Sequence, residues 1–169
     1  MNNTIRLSIA ALLCVTAVGC AKTKVKPQPE SPTHNDPITQ PRDNGGKYTR
    51  DSLDTDACLR QRVVYFDLDQ TEIKGEFREQ ISCHAAYLRQ FPDARVTLEG
   101  NADERGSREY NLGLGERRGN AVQSGLSAAG AASSQLNVTS YGEERPVCRE
   151  HGESCWGKNR RVEIVYTAK

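Results

Sequence analysis

Beyond about residue 53 the apolar positions fall into clear periods. Residues 62–67, Arg-Val-Val-Tyr-Phe-Asp, concentrate β-branched and aromatic side chains and predict a strand. Over 73–89 the apolar residues Ile73, Phe77, Ile81, Ala85 and Leu88 recur three and four apart, which predicts an amphipathic helix. Phe91-Pro92-Asp93 ends it. Residues 95–99 alternate, with Val96 and Leu98 on one face, as a strand does. Residues 107–129 read as a second helix with Ser107 as its N-cap. Gly113, Gly115, Gly119 and Gly125 interrupt it, each costing up to ~1 kcal/mol against alanine. Such a helix makes sense where something packs close to its backbone. Residues 136–141 and 161–166 supply the last strands. The predicted order is strand, helix, strand, helix, strand, loop, strand, without internal repeats. The expected fold class is an α/β (α+β) two-layer sandwich, two main helices on a mixed four-stranded sheet.

Upstream the pattern changes twice. Arg6 precedes an uncharged apolar run over 9–18, shorter than the ~20 residues a bilayer span needs. Ala17-Val-Gly-Cys20 follows, so the segment has the layout of a secretory signal with small residues before the cut. A cysteine at that point resembles the lipobox of bacterial lipoproteins. The resemblance implies that Cys20 is lipidated and that Cys14 leaves with the leader; a plain signal peptide with an incidental cysteine is the simpler alternative. Ala21, where an aspartate would favour the inner membrane in enteric lipoproteins, implies the outer membrane. From 22 to about 50 the chain is polar, and Pro27, Pro29, Pro32, Pro37 and Pro41 exclude a regular helix. Such a stretch buries too little apolar surface to fold. Read as a tether of roughly 30 residues, it spans about 30 Å as a coil and about 100 Å fully extended. The expected organisation is therefore 1–19 leader, 20–52 lipidated terminus and linker, and 53–169 folded domain.

Composition narrows the classes of function. The 169 residues carry a formal charge of +1, so no nucleic-acid partner is expected. Lys22, Lys24 and Lys26 lie beside the presumed lipid; they read as a solvated linker, with only weak attraction to headgroups as the alternative. Four cysteines lie outside the leader: Cys58, Cys83, Cys148 and Cys155. An exported location makes disulfides the default. Cys148 and Cys155 bracket a short loop, and Cys58 and Cys83 would join the first strand's approach to the first helix. Zinc on Cys148, His151 and Cys155 is the rival, but it offers three ligands at irregular spacing. No metal and no cofactor are expected.

The stretch with the most chemistry is Asn101-Ala-Asp-Glu-Arg-Gly-Ser-Arg-Glu-Tyr-Asn-Leu-Gly-Leu-Gly-Glu-Arg-Arg118. It places the Asp103 carboxylate at a strand-to-helix turn. Asn111 and Arg118, seven apart, share a helix face. Side chains on a helix lean towards its N-terminus, so Arg118 is directed back towards the turn of Asp103. A guanidinium can grip a carboxylate with two hydrogen bonds, and a carboxylate can accept from an ammonium. Together they suit a small zwitterion. An intramolecular Asp103–Arg118 salt bridge explains the spacing equally well.

That stretch, extended to Val122, resembles the signature of OmpA-like peptidoglycan-binding domains. Val64-Tyr-Phe-Asp67 is similar to their first strand, and Ser140-Tyr-Gly-Glu-Glu-Arg-Pro146 and Asn159-Arg-Arg-Val-Glu163 to their C-terminal motifs. With the lipobox and tether, the whole chain resembles the lipid-anchored members of that family. The resemblance implies that the ligand is the free zwitterionic end of meso-diaminopimelate in an uncrosslinked peptidoglycan stem peptide. It places the ligand-binding aspartate at Asp103, the arginine at Arg118 and a supporting polar position at Asn111. Asp67, with the backbone around Phe66, would line the pocket. It further implies a non-covalent link from the outer membrane to the cell wall, with the domain in the periplasm. The Tol system's periplasmic β-propeller protein would be a competing partner on the same face, with roles in envelope integrity and cell division. The four domain cysteines depart from the commonest pattern in the family.

Two rival classes stand beside this one. Asp67, Asp69, Asp103 and Glu104 could serve as paired carboxylates of a wall hydrolase. No Ser/His/Asp or Cys/His arrangement supports catalysis, and His34, His84 and His151 fall in unrelated places. The other is an OmpA-like module of a porin tail or stator anchor, against which the lipobox and the lack of membrane-spanning runs argue.

Overall fold

A computed structural model of the chain describes residues 48–169. The leader, Cys20 and the greater part of the linker lie outside the described residues. The chain enters through a one-turn helix, α1 (Ser52–Thr55), and a first strand, β1 (Val63–Tyr65). A 3-10 turn, Gly75–Phe77, leads into α2 (Arg78–Gln90); β2 (Arg95–Asn101) and α3 (Arg108–Ala128) follow. The remainder is β3 (Leu136–Gly142), α4 (Glu153–Asn159) and β4 (Arg161–Ala168).

The four strands form one mixed sheet in the order β1-β4-β2-β3. β4 runs antiparallel to both β1 and β2, while β2 and β3 are parallel and joined through α3. The last strand of the chain thus sits inside the sheet, between the first two. Alternation in β2 turns Val96 and Leu98 inward, and β4 contributes Val162 and Ile164. These close on Ile81, Ala85 and Leu88 of α2 and on Val122 and Leu126 of α3. The packing reaches N-terminal of residue 53: Tyr48 is buried, and its backbone N–H donates to Gln90 Oε1 at 2.8 Å.

The layered architecture agrees with the sequence pattern, and three elements differ in detail. The first strand is shorter than 62–67: it covers Val63–Tyr65, with the Arg62 carbonyl and the Phe66 N–H still bonded across to Ile164 and Arg160 at its two ends. The first helix starts later than residue 73; Ile73 and Phe77 still pack against the core, but from the approach and the 3-10 turn. Spacing cannot separate those cases, since a tight turn offers the same face. The segment before the last strand, expected as a loop, contains α4, whose seven residues carry no apolar period.

Glycines in α3 explain how the helix sits. A Cβ on Gly115 would lie 2.8 Å from the Gly100 carbonyl oxygen and 2.4 Å from Ser140 Oγ. One on Gly119 would lie 2.5 Å from Val138 Cγ1. Both positions let α3 lie directly on β2 and β3. Gly113 and Gly125 meet no such obstacle. Ser107 caps the helix, its hydroxyl accepting from the Tyr110 N–H at 3.2 Å.

Cys58 is joined to Cys83, with Cα atoms 6.3 Å apart, and Cys148 to Cys155, at 5.2 Å. The second bridge ties the segment before α4 to α4 itself. His151, the third zinc candidate, bonds Glu104 instead, at 2.6 Å. No helix among the described residues is long and apolar enough to cross a membrane.

Candidate ligand-binding cleft

β2 ends where the ladder to β3 shifts register, between Gly100 and Asn101. The chain then turns through Asp103 to Gly106, whose φ of 106° suits glycine and almost nothing else. Ser107 starts α3 from there. This turn, α3 and the residues just after β1 enclose a cleft of about 380 Å³. Asp103, Arg105, Asn111, Arg118 and Arg160 line it, with the exposed side chains of Leu68 and Tyr110 alongside.

Asp103 is 4% exposed. Its Oδ1 accepts from the Arg105 backbone N–H at 3.1 Å and from Arg105 Nε at 3.0 Å. Its Oδ2 accepts from Arg105 Nη2 at 2.6 Å and Arg160 Nη1 at 3.1 Å. Burial would raise this carboxyl, but the hydrogen bonds from Arg105 and Arg160 outweigh it and hold the pKa below the ordinary value.

Arg118 is fully buried on α3, on the same helix face as Asn111. Its guanidinium is held by three backbone carbonyls: Nε donates to Gln70 O at 2.9 Å, Nη1 to Asn101 O at 2.9 Å and Nη2 to Asp67 O at 3.0 Å. The Phe66 ring lies 5.3 Å from its carbon centre. Burial, reinforced by the nearby Arg160 charge, lowers the Arg118 pKa to about 10. It therefore stays charged near neutrality. Among the described residues no carboxylate forms an ion pair with it. Asp103 and Arg118 thus share a cleft without pairing: the ion partners of Asp103 are Arg105 and Arg160.

The other expected residues take different parts. Asn111 Nδ2 donates to Glu143 Oε2. Asp67 offers its carbonyl to Arg118, while its exposed carboxylate pairs with Lys74 at 2.6 Å. Phe66 is buried, and its carbonyl accepts from Arg160 Nε at 3.1 Å. Leu68 and Asp69, next along the chain, reach the cleft itself. Asp69 has a φ of 57° and accepts from the Tyr110 hydroxyl. Cys148 and Cys155 lie near the site through α4, which supplies Glu153 to Arg160 and Trp156 to Arg105.

Sequence spacing did not single out Arg105 and Arg160. Arg160 stands 57 residues from Asp103, and only the antiparallel return of β4 beside β2 brings them together. The available signal was the run of two arginines opening a strand, where a buried charge demands a partner.

The OmpA family model matches residues 65–160, from the end of β1 to Arg160. The chain belongs to the OmpA family. Within that family its sequence sits with the peptidoglycan-associated lipoproteins. It is 45% identical over 111 residues to the one from Pasteurella multocida, covering 66% of this chain and 74% of that one. It is 34% identical over 159 residues to the one from Brucella melitensis, covering 94% and 90%. The crystal structure of the peptidoglycan-associated lipoprotein from Burkholderia pseudomallei matches with a TM-score of 0.67 at 39% identity, over 69% of this chain and 98% of that one.

Proposed function

We propose that this chain is a lipid-anchored outer-membrane protein whose periplasmic domain, residues 53–169, grips peptidoglycan without covalent chemistry. The ligand is the free zwitterionic end of meso-diaminopimelate in an uncrosslinked stem peptide. Asp103 takes the ammonium and Arg118 the carboxylate, with Asn111 supporting the wall between them. Acyl chains on Cys20 hold the other end in the membrane, and the linker sets the reach.

The observation that carries this reading is Arg118. A buried guanidinium without an ion-paired carboxylate, in a cleft with two further arginines, favours an anion there. Three of its five N–H donors are committed to carbonyls, which fixes its plane and leaves one N–H on each of Nη1 and Nη2. Arg118 itself is closed to solvent, and Leu68 and Tyr110 are the exposed side chains on the wall of the cleft. Competition for the same face by the Tol system's β-propeller protein would make the link releasable.

A wall hydrolase is less well supported. Asp103 is held below ordinary carboxyl values, the opposite of what a general acid needs. Glu104 is engaged by His151 and by the Trp156 indole N–H at 2.7 Å. Purified domain incubated with labelled peptidoglycan sacculi should sediment with them and release no soluble fragments. Release of fragments, or failure to sediment, would reject the proposal. Replacing Cys20 with Ser should abolish fractionation with the outer membrane.

A further inference from the structure

The Asp103 carboxylate is already fully used. Two oxygens offer about four lone-pair sites, and four N–H groups fill them: the Arg105 backbone, Arg105 Nε and Nη2, and Arg160 Nη1. A ligand ammonium can bind only by removing one of these donors. They are not equally removable. The backbone N–H is part of the turn. Arg160 is 7% exposed and also bound to the Phe66 carbonyl and to Glu153. Arg105 is 33% exposed, and Asp103 is the acceptor for both of its side-chain hydrogen bonds to the turn.

Arg105 also has somewhere to go. Its Nη2 lies 3.6 Å from Glu153 Oε2, and its carbon centre lies 4.1 Å over the Trp156 ring. A small pivot would trade one carboxylate for another without leaving the aromatic face. We propose that Arg105 is a displaceable latch on Asp103, released to Glu153 when a ligand ammonium takes its place. The latch sets specificity. A ligand with a carboxylate alone has nothing to exchange for the guanidinium, so only a cation-bearing end opens this half of the cleft. The inference rests on Asp103 being the ammonium site.

The test is calorimetric titration of the wild-type chain, Arg105→Ala, Arg105→Gln and Asp103→Asn with two probes. One is a stem tripeptide ending in free meso-diaminopimelate; the other ends in 2-aminopimelate, which keeps the distal carboxylate and lacks the distal amine. Removing the competing guanidinium should tighten the diaminopimelate peptide about two- to fivefold, the span of one partly exposed ion pair. It should not tighten the aminopimelate peptide. Either Arg105 variant suffices if the other fails to fold. No gain, a loss, or an equal gain for both peptides overturns the latch. If Asp103→Asn binds the diaminopimelate peptide as well as wild type does, the assignment of Asp103 itself falls, and the latch with it. If Asp103→Asn weakens binding but neither Arg105 variant strengthens it, only the latch falls.

Discussion

Two buried polar clusters sit at opposite ends of the same central strands, and they are built on different rules. At the far end from the cleft, His84 of α2 is fully buried between Tyr166 and the backbone. Its Nδ1 bonds the Tyr166 hydroxyl at 2.9 Å and its Nε2 the Gln61 carbonyl at 2.9 Å. The cluster is neutral and closed: burial lowers the His84 pKa to about 4, and burial likewise raises the Tyr166 hydroxyl. The cleft end instead keeps charge. Arg105, Arg118 and Arg160 stand there with Asp69 and Asp103, and Glu153 of α4 pairs with Arg105 and Arg160 from behind. A cluster that only holds the fold together settles into neutral, mutually satisfied groups. The cleft, proposed to receive a zwitterion, instead keeps charges of both signs, among them an Arg118 guanidinium with no ion-paired carboxylate among the described residues.

The sharpest break in that contrast is Arg118→Ala. Three carbonyls would lose their donor inside the protein, so the variant should be destabilised by about 3–5 kcal/mol as well as losing wall binding. Chemical denaturation beside sacculus sedimentation checks both. A variant of wild-type stability would mean that the arginine serves the ligand alone. Asp103→Asn is expected to weaken binding of the diaminopimelate tripeptide by about 2–4 kcal/mol, roughly thirtyfold to a thousandfold. Retained affinity would move the ammonium site elsewhere.

The closed end should announce itself through acid. His84 is neutral in both folded and unfolded chains above its ordinary pKa of 6.5. As pH falls from there towards 4, the unfolded chain takes up a proton that the folded chain resists. Stability present above pH 6.5 is therefore lost across that window, by about 3 kcal/mol at full extent. Urea midpoints at pH 7.5 and 4.5 measure it, and His84→Gln should flatten the slope in that range. Replacing both Cys148 and Cys155 with Ser opens a short loop and should cost about 2–3 kcal/mol. The loss should be felt at the cleft, because α4 holds Glu153 and Trp156; unchanged binding would detach the bridge from the site. The smallest effect belongs to Tyr166→Phe. Losing one neutral hydrogen bond should cost about 1 kcal/mol and leave wall binding intact. A binding defect there would erase the distinction between the two ends.

Several features of the protein are dictated locally, and the sequence alone determined them. The β-branched run before Asp67, the three-and-four spacing after Ile73 and the Ser107 cap each act within a turn or two of the chain. So does the message of Gly115 and Gly119 that another element lies against α3. Asp103 and Arg118 stood out for the same reason, being close in the chain on one turn and one helix. Tertiary structure decided who pairs with whom. Placing β4 between β1 and β2 brings Arg160 to Asp103 and carries the Phe66 and Asp67 carbonyls to the arginines. The expected Asp103–Arg118 proximity became two residues in one cleft with separate partners. No local period encodes that choice. It is set by which backbone groups are left without hydrogen bonds once the sheet has formed, and by the high cost of burying a guanidinium that cannot find them.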